Sequence, residues 1–150
     1  MKQQPFVDEK IRSLESLCRE LGLALTIQRR IILENLSSRY DHPTADQIYE
    51  AVKDQIRGVS RTTVYRVLET FVRLGVVAKV SNPHAKVRFE ADTVRHHHLI
   101  CLDCNSVADY HDDRLDGIEV PTESFDGFEV KDFSLAITGQ CSSCRREKAH

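Results

Sequence analysis

Two cysteine pairs constrain this chain more tightly than any other feature. Cys101 and Cys104 form one C-x2-C pair, Cys141 and Cys144 form another, and 36 residues separate them. Each pair sets two sulfurs on one side of a tight turn, and two such turns supply a tetrahedral set of four thiolates, which suits Zn(II). With four protein ligands the sphere is closed to water and substrate, so the expected role is structural. A redox C-x2-C needs one pair and leaves the second without a purpose; an iron–sulfur centre is the other alternative. The fifth cysteine, Cys18, falls on the apolar stripe of a predicted helix and reads as a buried, inert thiol.

A chain of 150 residues accommodates one medium domain or two small ones, and a small domain needs a staple of the kind zinc provides. No apolar run reaches the length of a membrane-spanning helix, and the start, MKQQPFVDEK, has no apolar core or cleavage signal. Five cysteines without a signal peptide point to reduced thiols in the cytoplasm. The charge is uneven. Residues 1–83 carry 13 Lys+Arg against 10 Asp+Glu, whereas residues 84–150 carry 8 against 13. Nine of the 13 are arginines, the side chain best matched to phosphate, so the first half is the candidate for meeting nucleic acid.

Residues 7–21 place Ile11, Leu14, Leu17, Cys18 and Leu21 at helical spacing, with Gly22 as the stop. A second helix is predicted after the N-cap Thr26. A third follows Thr44, whose T-x-x-Q spacing to Gln47 is a capping box. Ser60 caps a fourth, with Val64, Val67, Leu68, Phe71 and Leu74 on its apolar side and Gly75 as its end. Two short strands, VVAKV and KVRFE, flank a turn at Ser81, Asn82, Pro83 and His84. Helices followed by a hairpin give the order of a winged helix-turn-helix. Beyond it HHHLIC, SVADYH and FEVKDFSLAITGQC read as strands, and Gly117 and Pro121 keep any helix between them short or broken. The expected fold class is α+β: a winged helix-turn-helix DNA-binding domain over residues 1–84, a hinge over 85–92, and a small α/β domain over 93–150 holding the four-cysteine zinc site.

In such a module the N-terminal part of the second helix reads the major groove. Here that is the segment after Ser60. Arg61, Thr62, Tyr65 and Arg66 are left on the outer face, with Thr63 beside them, and offer guanidinium, hydroxyl and ring contacts to bases and phosphates. Gln28 and Arg29 are candidates for phosphate contacts. A second donor set lies near the cysteines. His96 and His98 share one face of a predicted strand and His97 takes the other. Glu90, Asp109 and His42 are candidates to complete a mixed nitrogen and oxygen sphere, which suits Fe(II), Mn(II) or Zn(II). A metal shared between the halves would couple metal to DNA affinity.

TIQRRIILENL, DHPTADQIY, SRTTVYRVLETFVRLGVV, the RFE strand, HHHLICLDC and the closing GQCSSC together resemble the ferric uptake regulator family over nearly the whole chain. The resemblance implies a homodimeric winged-helix repressor with a C-terminal dimerisation domain, acting on a double-stranded, palindromic DNA operator and not as an enzyme. It implies structural Zn(II) on Cys101, Cys104, Cys141 and Cys144, and a regulatory Fe(II) or Mn(II) on His42, Glu90, His96, His98 and Asp109. Asp109 is the carboxylate typical of the peroxide-sensing branch, and Glu90 resembles the iron-uptake type. A further site of many iron-uptake members needs an Asp between the two histidines and a late His; those places hold His97 and Asp132-Phe133. The balance favours peroxide sensing, with His42 and His96 as the oxidation-sensitive ligands. An iron- or zinc-responsive uptake repressor that binds metal reversibly is the alternative. A zinc hydrolase would need a motif such as H-E-x-x-H, which is lacking, and a metal-independent architectural DNA binder is a fourth reading.

Overall fold

The computed structural model describes residues 2–80, 82, 85–119, 127–129, 133 and 135–148. They fall into two compact units, Met1–Thr93 and Val94–His150.

The first unit runs α1 (Gln4–Glu20), α2 (Ile27–Ser37), α3 (Ala45–Val52), α4 (Arg61–Arg73), β1 (Ala78–Val80) and β2 (Arg88–Glu90). Proline in its first turn, where no amide partner is needed, lets α1 begin earlier than the expected residue 7. The three polar N-caps act as the spacing predicts. Thr26 Oγ1 accepts the Arg29 amide at 3.2 Å, and Ser60 Oγ accepts the Thr63 amide at 3.1 Å. Thr44 and Gln47 form the full capping box, with the Gln47 amide donating to Thr44 Oγ1 at 3.3 Å and the Thr44 amide to Gln47 Oε1 at 2.9 Å. After α4, Gly75 takes a φ of +70°, a conformation that costs a side chain but not glycine, and the chain turns into the hairpin.

These helices close over one core. Ile11, Leu14 and Cys18 of α1 meet Ile32, Leu33 and Leu36 of α2, Ile48 and Val52 of α3, and Val64, Leu68 and Phe71 of α4. Phe89 of β2 joins the same cluster. Leu17, Tyr49, Val67 and Leu74 border it, partly buried. Leu21 does not belong to the stripe: α1 ends at Glu20, Leu21 is already the C-cap, and it is 55% exposed. Strands β1 and β2 pair antiparallel with Ala78 opposite Glu90 and Val80 opposite Arg88. β2 thus lies inside the segment suggested as a hinge, and its ladder ties it to the first unit. Of the expected turn residues, Asn82 is buried and its carbonyl accepts the Ala85 amide; Ser81, Pro83 and His84 lie outside the described residues.

The second unit runs β3 (His97–Cys101), β4 (Val107–Tyr110), α5 (Asp113–Asp116), β5 (Ala136–Gly139) and α6 (Ser142–Lys148). The sheet order is β4-β3-β5, with β4 antiparallel and β5 parallel to β3. α5 is a single turn ended at Gly117, the short helix that the composition implies; Pro121 and Asp132 lie outside the described residues. Within the 128–141 segment the described strand is β5, Ala136–Gly139; residues 130–132 and 134 lie outside the described residues. One outcome differs from expectation. The chain then closes in α6, which carries no buried residue and so no apolar period to announce it.

Leu68 is fully buried at the centre of the first unit. Leu68→Ala is expected to lower the stability of that unit by about 2–5 kcal/mol, read from urea unfolding followed by circular dichroism. A loss within about 0.5 kcal/mol, the range of surface positions, would contradict its place in the core.

Candidate metal centres and nucleic-acid interface

Cys101 closes β3 and Cys104 follows on the knuckle. Asn105 takes a φ of +57°, which bends the chain back so that its amide reaches the Cys101 carbonyl at 2.9 Å. Cys141 precedes α6 and Cys144 lies in its first turn. The four sulfurs lie within 4.8 Å of one another. The Cys104 and Cys141 sulfurs are 3.8 Å apart. A sulfur tetrahedron around zinc, with bonds of about 2.3 Å, has an edge of about 3.8 Å.

Backbone amides prepare the sulfurs for charge. The Cys141 amide donates to Cys101 Sγ at 3.3 Å and the Cys144 amide to Cys141 Sγ at 3.5 Å. Amides of Cys104 and Cys141 draw the Cys101 thiol down to about 6, and the Ser106 hydroxyl and amide lower Cys104. Cys144 is pushed up, first by the sulfur of Cys141 and then by that of Cys104. Four thiolates this close repel one another unless a cation lies among them, and the donors fit Zn(II). α6 is pinned to the first knuckle by Lys148 Nζ and Gln140 Nε2, which donate to the Asp103 carboxylate at 2.8 and 2.7 Å.

The second unit also gathers His96, His98 and Asp109. The β3–β4 register sets His98 directly opposite Asp109, and cross-strand partners share a face. His96, two residues earlier, is on that face too, with its ring 4.7 Å from that of His98. Its Nε2 stands 3.1 Å from Asp109 Oδ1, and His98 Nε2 stands 3.9 Å from the same oxygen. His96 Nδ1 lies 2.6 Å from the Val94 carbonyl, an acceptor only, so Nδ1 donates there and Nε2 is the ring nitrogen aimed at Asp109. Lone pairs of two imidazoles and a carboxylate converging in this way fit a divalent cation with mixed nitrogen and oxygen ligands. His97 turns to the other face, is buried, and approaches Asp116 Oδ1 at 3.0 Å. His111 was not among the expected residues. Its ring is 5.6 Å from that of His96, and its two-residue offset from Asp109 was the available signal.

In the first unit His42 and Glu90 meet, Nε2 to Oε2, at 3.1 Å. They are far apart in sequence and are joined through β2. The Phe89 amide donates to the Pro43 carbonyl, Arg88 Nη1 donates to the His42 carbonyl at 2.9 Å, and Thr44 bridges to Arg88. His42 holds a φ of +48°, a left-handed conformation unusual for a residue with a side chain.

On α4, Arg61, Thr62, Tyr65 and Arg66 are exposed, as expected of a surface that meets a partner. Thr63 is less available: its hydroxyl is 2.9 Å from Ser60 Oγ, within the N-cap. Arg61 is not extended outward. It donates to Glu50 Oε1 at 2.7 Å and lies over the Tyr49 ring at 4.3 Å. The Arg29 guanidinium donates to the Ala24 carbonyl at 2.5 Å.

A family model described as the ferric uptake regulator family matches residues 20–138. The peroxide operon regulator of Bacillus subtilis (strain 168) is 37% identical over 138 residues, 92% of this chain and 94% of that protein. The peroxide-responsive repressor PerR of Staphylococcus epidermidis is 31% identical over 141 residues, 94% of each. Among solved structures, the ferric uptake regulator from Francisella tularensis with iron aligns at a TM-score of 0.68 and 28% identity, covering 83% of this chain and 96% of that one.

Cys104→Ser tests the four-sulfur centre. Zinc measured by atomic emission is expected to fall from one ion per chain to a minor fraction. The thermal transition of the second unit should be lost while the helical signal of the first persists. Full zinc retention would show that Cys104 is not a ligand.

Proposed function

This chain belongs to the ferric uptake regulator family, and on that premise we propose that it is a metal-dependent repressor of transcription that lets go of DNA when peroxide oxidises its metal-ligating histidines. The observation that carries the reading is the ladder that sets His98 opposite Asp109 with His96 on the same face. It builds half of a regulatory site directly onto the closed sulfur centre. We propose that His42 and Glu90 supply the other half, so that one Fe(II) or Mn(II) is held by His42, Glu90, His96, His98 and Asp109. Glu90 ends β2, which its ladder ties to the first unit.

When bound there, Fe(II) supplies the electrons that reduce peroxide beside the ligand imidazoles. The chain's own residues orient and expose. The Val94 carbonyl holds the His96 ring with Nε2 toward Asp109, and β2 holds His42 against Glu90. His42 and His96 are the side chains that gain oxygen in this reading, and a ring so altered is a poorer ligand. The thiolates are shielded by a closed sphere and take no part. Support for the peroxide branch comes from Asp109 and from relatives named as peroxide regulators.

DNA binding falls to Arg61, Thr62, Thr63, Tyr65 and Arg66, with two copies of α4 reaching adjacent half-sites of a palindromic operator. A homodimer is supported by the open face of the second unit. There Leu99 is 38% and Ile137 is 37% exposed, and the two are neighbours across the β3–β5 ladder. The protein works in the cytoplasm, where thiols stay reduced, and it is a regulator rather than an enzyme. No helix among the described residues is long and apolar enough to cross a membrane. A reversible iron- or zinc-uptake repressor is the second reading, favoured by Glu90.

Protein loaded with Fe(II) or with Mn(II) is treated with hydrogen peroxide, digested and weighed. One added oxygen is expected in the peptides containing His42 or His96 with iron, and none with manganese. Iron-loaded protein that stays unmodified and keeps its DNA would overturn the peroxide reading in favour of reversible metal sensing. His98→Ala is expected to abolish metal-dependent DNA retention in a gel shift while zinc remains at one per chain. Retention equal to wild type would remove His98 from the site.

A further inference from the structure

Two carboxylates stand where a DNA-facing surface gains least from them. Asp46 and Glu50, one turn apart on α3, border the N-terminus of α4 and the segment leading into β2. Glu50 accepts from Arg61 Nη2 at 2.7 Å, and Asp46 lies 3.9 Å from Arg61 Nη1. Asp46 also accepts from Lys86 Nζ at 2.6 Å, and Glu50 from Lys53 Nζ at 2.6 Å. The Arg61 guanidinium carbon lies over the Tyr49 ring, 4.3 Å from its centre. Thr44, Asp46, Arg61, Thr62, Tyr65 and Lys86 line a groove of about 460 Å³ between these elements.

Stability does not explain the arrangement. Side-chain exposures of 45% for Asp46, 48% for Glu50, 56% for Arg61 and 75% for Lys86 leave every pair in water, where such contacts add little. Their effect on a polyanion is larger. Sequence-independent affinity for DNA comes from cations that neutralise phosphates and release counterions. Arg61 and Lys86 are already neutralised, and any phosphate that reaches them must approach two carboxylates. A base edge carries no net charge and is not repelled in that way. A guanidinium has five N–H donors, so with Nη2 on Glu50 it keeps others for the acceptors of a guanine.

We propose that Asp46 and Glu50 form a carboxylate clamp that withholds Arg61 and Lys86 from arbitrary phosphates and makes Arg61 a sequence-discriminating residue. The inference rests on the DNA-binding reading above and deepens it: discrimination arises as much from repulsion of the wrong contact as from attraction to the right one.

Binding of the Mn(II)-loaded dimer is measured against two probes over a range of salt. One is a random-sequence duplex; the other is the sequence that the wild type enriches from a randomised pool. In Asp46→Asn/Glu50→Gln, affinity for the random duplex at low salt is expected to rise on the order of tenfold, and its log–log salt dependence to steepen by about 1.8, two phosphate contacts at about 0.9 each. Preference for the enriched sequence should fall in parallel. Adding Arg61→Gln and Lys86→Gln to that background should return the salt slope to the wild-type value. An unchanged slope and affinity on the random duplex would overturn the clamp while leaving DNA binding intact. An equal gain on both probes would remove the discriminating role. If the wild type and every variant bind neither probe, the DNA-binding reading falls and the clamp falls with it.

Discussion

The knuckle between Cys101 and Cys104 fixes how β3 and β4 pair, and the chemistry of the second unit depends on that pairing. The strands are joined by a turn whose length is set by two sulfurs that must face the same point. His98 therefore meets Asp109, and Leu99 meets Ala108. Side chains alternate along a strand, so a slip of one residue would send Asp109 to the face of His97 and leave His96 and His98 without a carboxylate. Zinc in a closed sphere thus has a consequence beyond stability. Bound there, it would hold the register on which the second donor set is built. α6 serves the same end, because Asp103 inside the knuckle holds Lys148 and Gln140.

The parts legible in the sequence are those fixed by short-range chemistry. Thr26, Thr44 and Ser60 each precede an apolar period and each became an N-cap. The two C-x2-C pairs converge, with all four sulfurs within 4.8 Å of one another, the arrangement that their spacing predicts. The alternation of His96, His97 and His98 gave two faces. Leu21 misled because helical spacing does not say where a helix stops, and Gly22 ended it one residue sooner than the pattern continued. α6 is hidden in the sequence because it buries no residue, and its position comes from contacts to Asp103 and the cysteine sulfurs rather than from an apolar stripe. Arg61 was placed on the outer face correctly. Its capture by Glu50 depends on how α3 crosses α4, a packing detail that no local pattern encodes.

Electrostatics divides the labour between the two halves differently from the overall count. The first half has the positive excess, but its acidic residues are not spread at random: Asp46 and Glu50 sit against the cations nearest the groove. The second half is acidic, and several of its carboxylates are engaged with cations or imidazoles: Asp103 with Lys148, Asp109 with His96, Asp112 with Arg114. Net charge alone would have assigned each half a partner. Pairing geometry decides which charges remain available to one.

Strand β2 concentrates the functions of the first unit in a few residues. Lys86, just before it, meets Asp46 at the groove; Arg88 clamps the His42 carbonyl; Glu90 faces the His42 ring. The left-handed backbone of His42 costs on the order of 1 kcal/mol, and β2 braces it by donating to the carbonyls of His42 and Pro43. His42 is thus held beside the strand that carries its partner carboxylate. Lys86 and Glu90 are only four residues apart, so the strand that carries Glu90 is continuous with the border of the groove beside α4.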